Sequence, residues 1–137
     1  MGSLKHEFLS TEDLVRANTI LDSININAHG KENGATLLMS TVNCGNSDKV
    51  KLLLSRGADI TAINTYGETA LTYAVSMGNY EIITILLDNG ADPNHKNKFG
   101  RSVLKSAKEN EKIRALLLTK GADPNAPDTE VKQDFIC

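Results

Sequence analysis

The sequence predicts an all-α solenoid, a stack of helix–turn–helix units joined by projecting β-hairpin loops. Three observations carry that expectation. Shifted by 33 positions, the chain falls into register with itself: Gly34-Ala35-Thr36-Leu37-Leu38 lies over Gly67-Glu68-Thr69-Ala70-Leu71, and Leu53 to Asp59 over Leu86 to Asp92. In each copy a hydroxyl residue stands before an apolar stretch of helical spacing, where it can cap the first free N–H groups. The chain is 40% apolar but only 4% aromatic, with no tryptophan, so the core is aliphatic.

Each segment has a local reason. Residues 1–30 read as an N-terminal cap, a degenerate half-repeat. Ser10-Thr11-Glu12-Asp13 can start a helix carrying Leu14, Val15 and Leu21, with Leu4 and Phe8 on a shorter helix before it. Residues 31–63 form a first repeat that opens at Thr36. Residues 64–96 form a second: Thr69 caps a helix from Ala70 to Met77, with Leu71, Ala74 and Val75 on one face. Gly78 ends it, because glycine tolerates the left-handed turn. Tyr80 to Asp88 make the next helix with Ile82, Ile83, Leu86 and Leu87 at helical spacing, and Gly90-Ala91-Asp92-Pro93 stops it. The extended stretch to Phe99 is expected to project as a hairpin. Residues 97–125 form a shortened third repeat opening at Ser102. Gly121 follows Gly90 by 31 residues, so two are missing near Lys108–Glu111. Residues 126–137, with Pro127 and several charges, read as a frayed tail or a short helix. Two such helices cannot close a core alone, so each pair must be covered by its neighbours.

Composition and spacing argue against several functions. The 17 acidic against 15 basic residues leave no whole-chain charge that favours nucleic acid or an anionic membrane. No apolar run approaches the roughly 18 residues of a membrane span. Cys44 and Cys137 make no disulfide framework and fit reduced thiols in a cytoplasmic compartment. His6, His29 and His95 share no metal-ligand spacing, so no metal site is expected. The glycines fall at repeat spacing and form no phosphate-binding loop. The pair Glu12-Asp13 stands at a helix start, where the helix dipole accounts for it. Asn25, Asn27, Asn94 and Asn97 read as turn residues held by local side-chain bonds. The expectation is therefore a chain without catalysis, cofactor or small-molecule substrate.

The pattern Gly-x-Thr-x-Leu-x-x-Ala, then Gly-Asn-x-Glu, then Leu-Leu-x-x-Gly-Ala-Asp-x-Asn resembles the ankyrin repeat over residues about 31–125. The family's Thr-Pro-Leu-His becomes Thr36-Leu37-Leu38-Met39, Thr69-Ala70-Leu71-Thr72 and Ser102-Val103-Leu104-Lys105, so its proline and histidine are lost in all three copies. The resemblance implies that the lost histidine would have tied adjacent turns together, which predicts a less stable stack.

The resemblance also implies a protein partner, bound along the hairpin tips and the exposed side of the first helices, a concave face in that family. The corresponding residues are Ile63, Thr65, Tyr66 and Glu68, then Ser76 and Met77, then Lys96, Lys98, Phe99 and Arg101. Tyr66 and Phe99 stand 33 apart and are expected to project side by side, a placement that suits binding hot spots. Residues 95–120 hold eight bases against two acids, and Lys105 and Lys108 are expected to extend the basic tip onto the first helix of the third repeat. An acidic segment of a partner is the expected complement. A monomer is expected, acting as an adaptor or as a small stand-alone inhibitor of immunity type. Nucleic-acid binding through the basic third repeat is the competing reading, opposed by the acidic remainder of the chain.

Overall fold

The computed structural model describes residues 3–31, 33–107 and 109–124. Eight helices follow one another among these residues: α1 (Ser3–Ser10), α2 (Leu14–Leu21), α3 (Leu37–Cys44), α4 (Ser47–Ser55), α5 (Ala70–Met77), α6 (Tyr80–Asp88), α7 (Val103–Ser106) and α8 (Glu111–Thr119). The consecutive helices α1/α2, α3/α4 and α5/α6 pack as pairs in two layers, and α7 and α8 follow them in the chain. In the first layer α1, α3, α5 and α7 stack in order; in the second, α2, α4 and α6 do.

Side chains start these helices by local capping. Thr36 and Thr69 accept the N–H groups of Met39 and Thr72, and the Thr72 hydroxyl accepts the Thr69 N–H in return at 3.3 Å. Ser102 caps α7 in the same way, accepting from Lys105 N–H at 3.1 Å. Every second helix from α4 onward opens on an asparagine: Asn46, Asn79 and Asn110 accept from Lys49, Ile82 and Ile113 at 3.0–3.1 Å. Gly45 and Gly78 end α3 and α5 at φ 77° and 73°, a conformation that disfavours any Cβ.

The apolar faces meet in one continuous core between the layers. Leu37, Leu38, Leu53, Leu71, Ile82, Ile83, Leu86, Ile113 and Leu117 are fully buried within it. Burying each such side chain contributes roughly 1.5–3 kcal/mol, which the two helices of one pair cannot secure without the next.

The N-terminal segment carries a full helix pair. Phe8 on α1 and Ala17, Ile20 and Leu21 on α2 are buried, whereas Leu14 and Val15 face outward, Val15 at 76% exposure. The buried positions 17, 20 and 21 follow helical spacing, which sets the inward face away from Leu14 and Val15. Lys49 is buried against this pair; its ammonium donates to the Leu9 carbonyl at 3.0 Å and lies 5.5 Å from the centre of the Phe8 ring. The charge at the end of α1 satisfies a carbonyl that the helix leaves unpaired. Arg56 at the end of α4 likewise reaches the Asn18 carbonyl and the Asp22 carboxylate.

The connecting loops are tight turns. Among the described residues the expected hairpins are reduced to one isolated antiparallel bridge, Lys96 to Ser102. The reason lies in where the tip amides go. Several serve asparagine side chains and the neighbouring tip, and those that cross the loop, from Asn64 to Glu68, Asn97 to Arg101 and Val103 to His95, are too few for a longer ladder.

Candidate functional site

The loop tips are built around Asn64 and Asn97, which occupy matching places in successive loops. The Asn64 carbonyl oxygen accepts the N–H groups of Tyr66 and Glu68 at 2.9 and 3.0 Å. Asn97 accepts those of Phe99 and Arg101 at the same distances. Each is an asparagine turn that offers the backbone a side-chain acceptor. Asn64 is buried, and its amide group also donates to Glu68 Oε1 at 3.1 Å and to the Tyr73 hydroxyl at 2.9 Å. One side chain thus fixes the tip, the Glu68 carboxylate and a tyrosine of α5.

Successive tips are also joined to one another. Thr65 N–H donates to the Asn33 carbonyl at 2.8 Å, and Lys98 N–H to the Tyr66 carbonyl at 3.0 Å. Gly67 has φ 78°, and a Cβ there would stand 2.7 Å from Lys98 N, so this junction requires glycine. His95 adds a bond of 2.7 Å from its Nε2 to the Gly67 carbonyl. A histidine tie between turns is therefore present, supplied by the loop instead of the first helix. Behind the tips, Asn94 donates to the Gly121 carbonyl and accepts from Asp123 N–H; Asn27 does the same with Gly57 and Asp59. These two asparagines, expected to bond locally, tie loops about one repeat apart; Asn25 and Asn97 do bond within their own turns.

On this framework Ile63, Tyr66, Met77 and Phe99 are the exposed large apolar side chains of the tips and of the end of α5, at 46–56% exposure. Neither aromatic ring is folded away beneath its tip. Glu68, Ser76 and Met77 come together with Asn43, Thr72 and Tyr73 around a shallow groove of about 250 Å³. Thr65 stands where the first and second tips join, and Tyr66 and Lys98 meet where the second and third do. Lys96 and Arg101 flank the third tip, and Lys105 stands in the first turn of α7. Lys108 lies outside the described residues.

The basic stretch divides between the layers. Lys112 and Arg114 belong to α8 and Lys120 caps its end; Lys112 lies 4.5 Å from the Tyr80 ring centre and Lys120 pairs with Asp88 at 2.7 Å. Only the tip and α7 bases adjoin the groove's layer. The groove residues Asn43, Thr72 and Tyr73, and the organiser Asn64, were not singled out from sequence. A signal for the last was present: Asn64-Thr65-Tyr66-Gly67 lies over Asn97-Lys98-Phe99-Gly100 in the same 33-residue register.

Among the described residues no three His, Cys, Asp or Glu side chains are grouped to hold a metal ion, and no helix is long and apolar enough to cross a membrane. The family model described as ankyrin repeats in three copies matches residues 11–97, more than half of the chain. Together with the paired helices and glycine turns, that match makes the chain a member of the ankyrin-repeat family. No curated protein matches it. Ankyrin repeats are generally protein–protein interaction modules.

Proposed function

We propose that this chain is a non-catalytic binding module that docks a partner protein on its loop tips and on the exposed side of the first-helix layer. The observation that carries this reading is the pair Tyr66 and Phe99. Both rings stand half exposed on tips that asparagines and tip-to-tip hydrogen bonds hold rigid. Rigid aromatic side chains bind at small entropic cost, which supports a docking role. Lys96, Lys98, Arg101 and Lys105 beside them favour an acidic segment of that partner, since complementary charge raises the association rate. Among the described residues the remaining bases lie apart on and after α8, which supports a protein over a nucleic acid. The module acts as a monomer in a cytosol-like compartment, by occupying or positioning its partner.

The test is a paired capture from the native source with wild type and Tyr66→Glu/Phe99→Glu, both matched by circular dichroism. A protein retained by wild type alone is expected. Equal capture by both overturns the tip assignment.

A further inference from the structure

Resting on that reading, we infer that the face recognises a dipolar segment of its partner: a cationic side chain in the groove at Glu68, followed one repeat step along by carboxylates at Arg101 and Lys105. The same structural place changes its chemistry along the stack. Positions 35, 68 and 101 hold Ala, Glu and Arg, and positions 39, 72 and 105 hold Met, Thr and Lys. A segment lying across α3, α5 and α7 therefore meets a negative site and then a positive one.

The groove itself suits a lysine or arginine side chain. Asn64 holds Glu68 by Oε1, and among the described residues Oε2 accepts no hydrogen bond. The Tyr73 hydroxyl accepts from Asn64, so its own proton remains to be donated. Ser76 and Asn43 add polar groups at the groove wall, and Met77 and Tyr73 supply apolar surface for a methylene stem. A cationic head then pairs with a half-buried carboxylate, where the interaction is screened less than in open water.

The spacing follows from helix packing. Neighbouring helices of one layer lie about 8–10 Å apart. An extended polyproline-type chain rises about 3.1 Å per residue and presents the same edge every third residue, so three residues cover roughly 9 Å. The recognised pattern is one basic residue, two intervening residues, then acidic residues, read in one chain direction.

The test titrates the isotopically labelled full chain with synthetic peptides. One carries a lysine, two neutral residues and three glutamates; another has that order reversed. An acid-only control has the lysine replaced by alanine. One of the two ordered peptides is expected to bind about tenfold tighter than the acid-only control, equivalent to roughly 1.4 kcal/mol. Its amide shifts should fall on Thr72, Tyr73, Ser76 and Met77 as well as Arg101 and Lys105. Glu68→Gln, which keeps the Oε1 acceptor, should erase that tenfold advantage, so that the ordered and acid-only peptides bind the variant alike. Equal binding by the ordered and acid-only peptides overturns the dipolar inference and leaves acidic docking standing. Failure of every peptide to bind at about 1 mM overturns both.

Discussion

Thr69 and Asn79 cap α5 and α6, and Ser102 and Asn110 cap α7 and α8 through the same bonds, yet α5 runs for eight residues and α7 for four. Caps decide where a helix starts; the length between them decides how many turns it makes. Between Ser102 and Asn110 the chain is two residues shorter than between Thr69 and Asn79. The loss also removes the left-handed glycine. α5 ends on Gly78 at φ 73°, whereas α7 ends on Ala107 at φ −97°. The α5/α6 pair has neighbours on both sides, while α7/α8 closes the described stack. One pair supplies packing, and the other carries the basic tip at lower structural cost.

That comparison predicts unequal responses to equal changes. Leu86 and Leu117 occupy matching places and are both fully buried. Leu86→Ala should cost about 2–5 kcal/mol, because neighbours on both sides hold the cavity open. Leu117→Ala should fall near the low end of that range, since the terminal pair can relax into the space. Urea denaturation compares them, and equal losses would break the contrast.

Gly67→Ala ranks next. It combines the left-handed strain of about 1–2 kcal/mol with a contact of 2.7 Å on Lys98 N, so the loss should exceed 2 kcal/mol. Gly78→Ala has similar φ but nothing within 4 Å, and should cost only about 1 kcal/mol by thermal melting. A Gly78 variant as damaged as the Gly67 variant would show that the tip junction adds nothing to the cost at Gly67.

Thr41 gives a smaller effect of opposite sign. Its hydroxyl is buried in α3 and among the described residues has no hydrogen-bond partner, and the matching places in α5 and at the end of α7 hold the buried Ala74 and Ala107. Thr41→Val should stabilise by about 1 kcal/mol, read as a higher urea midpoint.

The smallest effect concerns acid. The Thr61 hydroxyl and N–H, bonded to Asp59 at 2.6 and 2.9 Å, lower its carboxyl below the usual range, with His29 adding to this against a small burial penalty. A carboxyl lowered on folding adds stability above its unfolded value near 3.9 and loses it as pH falls through the folded value. Asp59→Asn should therefore flatten the acid limb of a stability profile. An identical limb in both proteins would show that Asp59 contributes nothing there.

How much of this was legible from sequence depends on the range of each interaction. Caps such as Thr36, Thr69 and Ser102, and the bounds of α5 and α6, involve residues a few positions apart and recur at a fixed period. The inward face of α2 was harder, because Leu14 and Val15 are as apolar as Ile20 and Leu21 and only packing against α4 separates them. The bonds from Lys49 to Leu9 and from Arg56 to Asn18 join residues some forty positions apart and, among the described residues, recur in no other copy. In the candidate face the tip residues followed from register. The groove did not, since Asn43 and Tyr73 meet only through the stacking of α3 on α5.

A firmly packed α5/α6 pair thus supports a more loosely built, charge-bearing α7/α8 pair. Native-state hydrogen exchange, read amide by amide, tests it most directly. The α6 amides should exchange only through global unfolding, while the α8 amides open earlier in a smaller unit. Equal protection of α6 and α8, both at the global free energy, would contradict it.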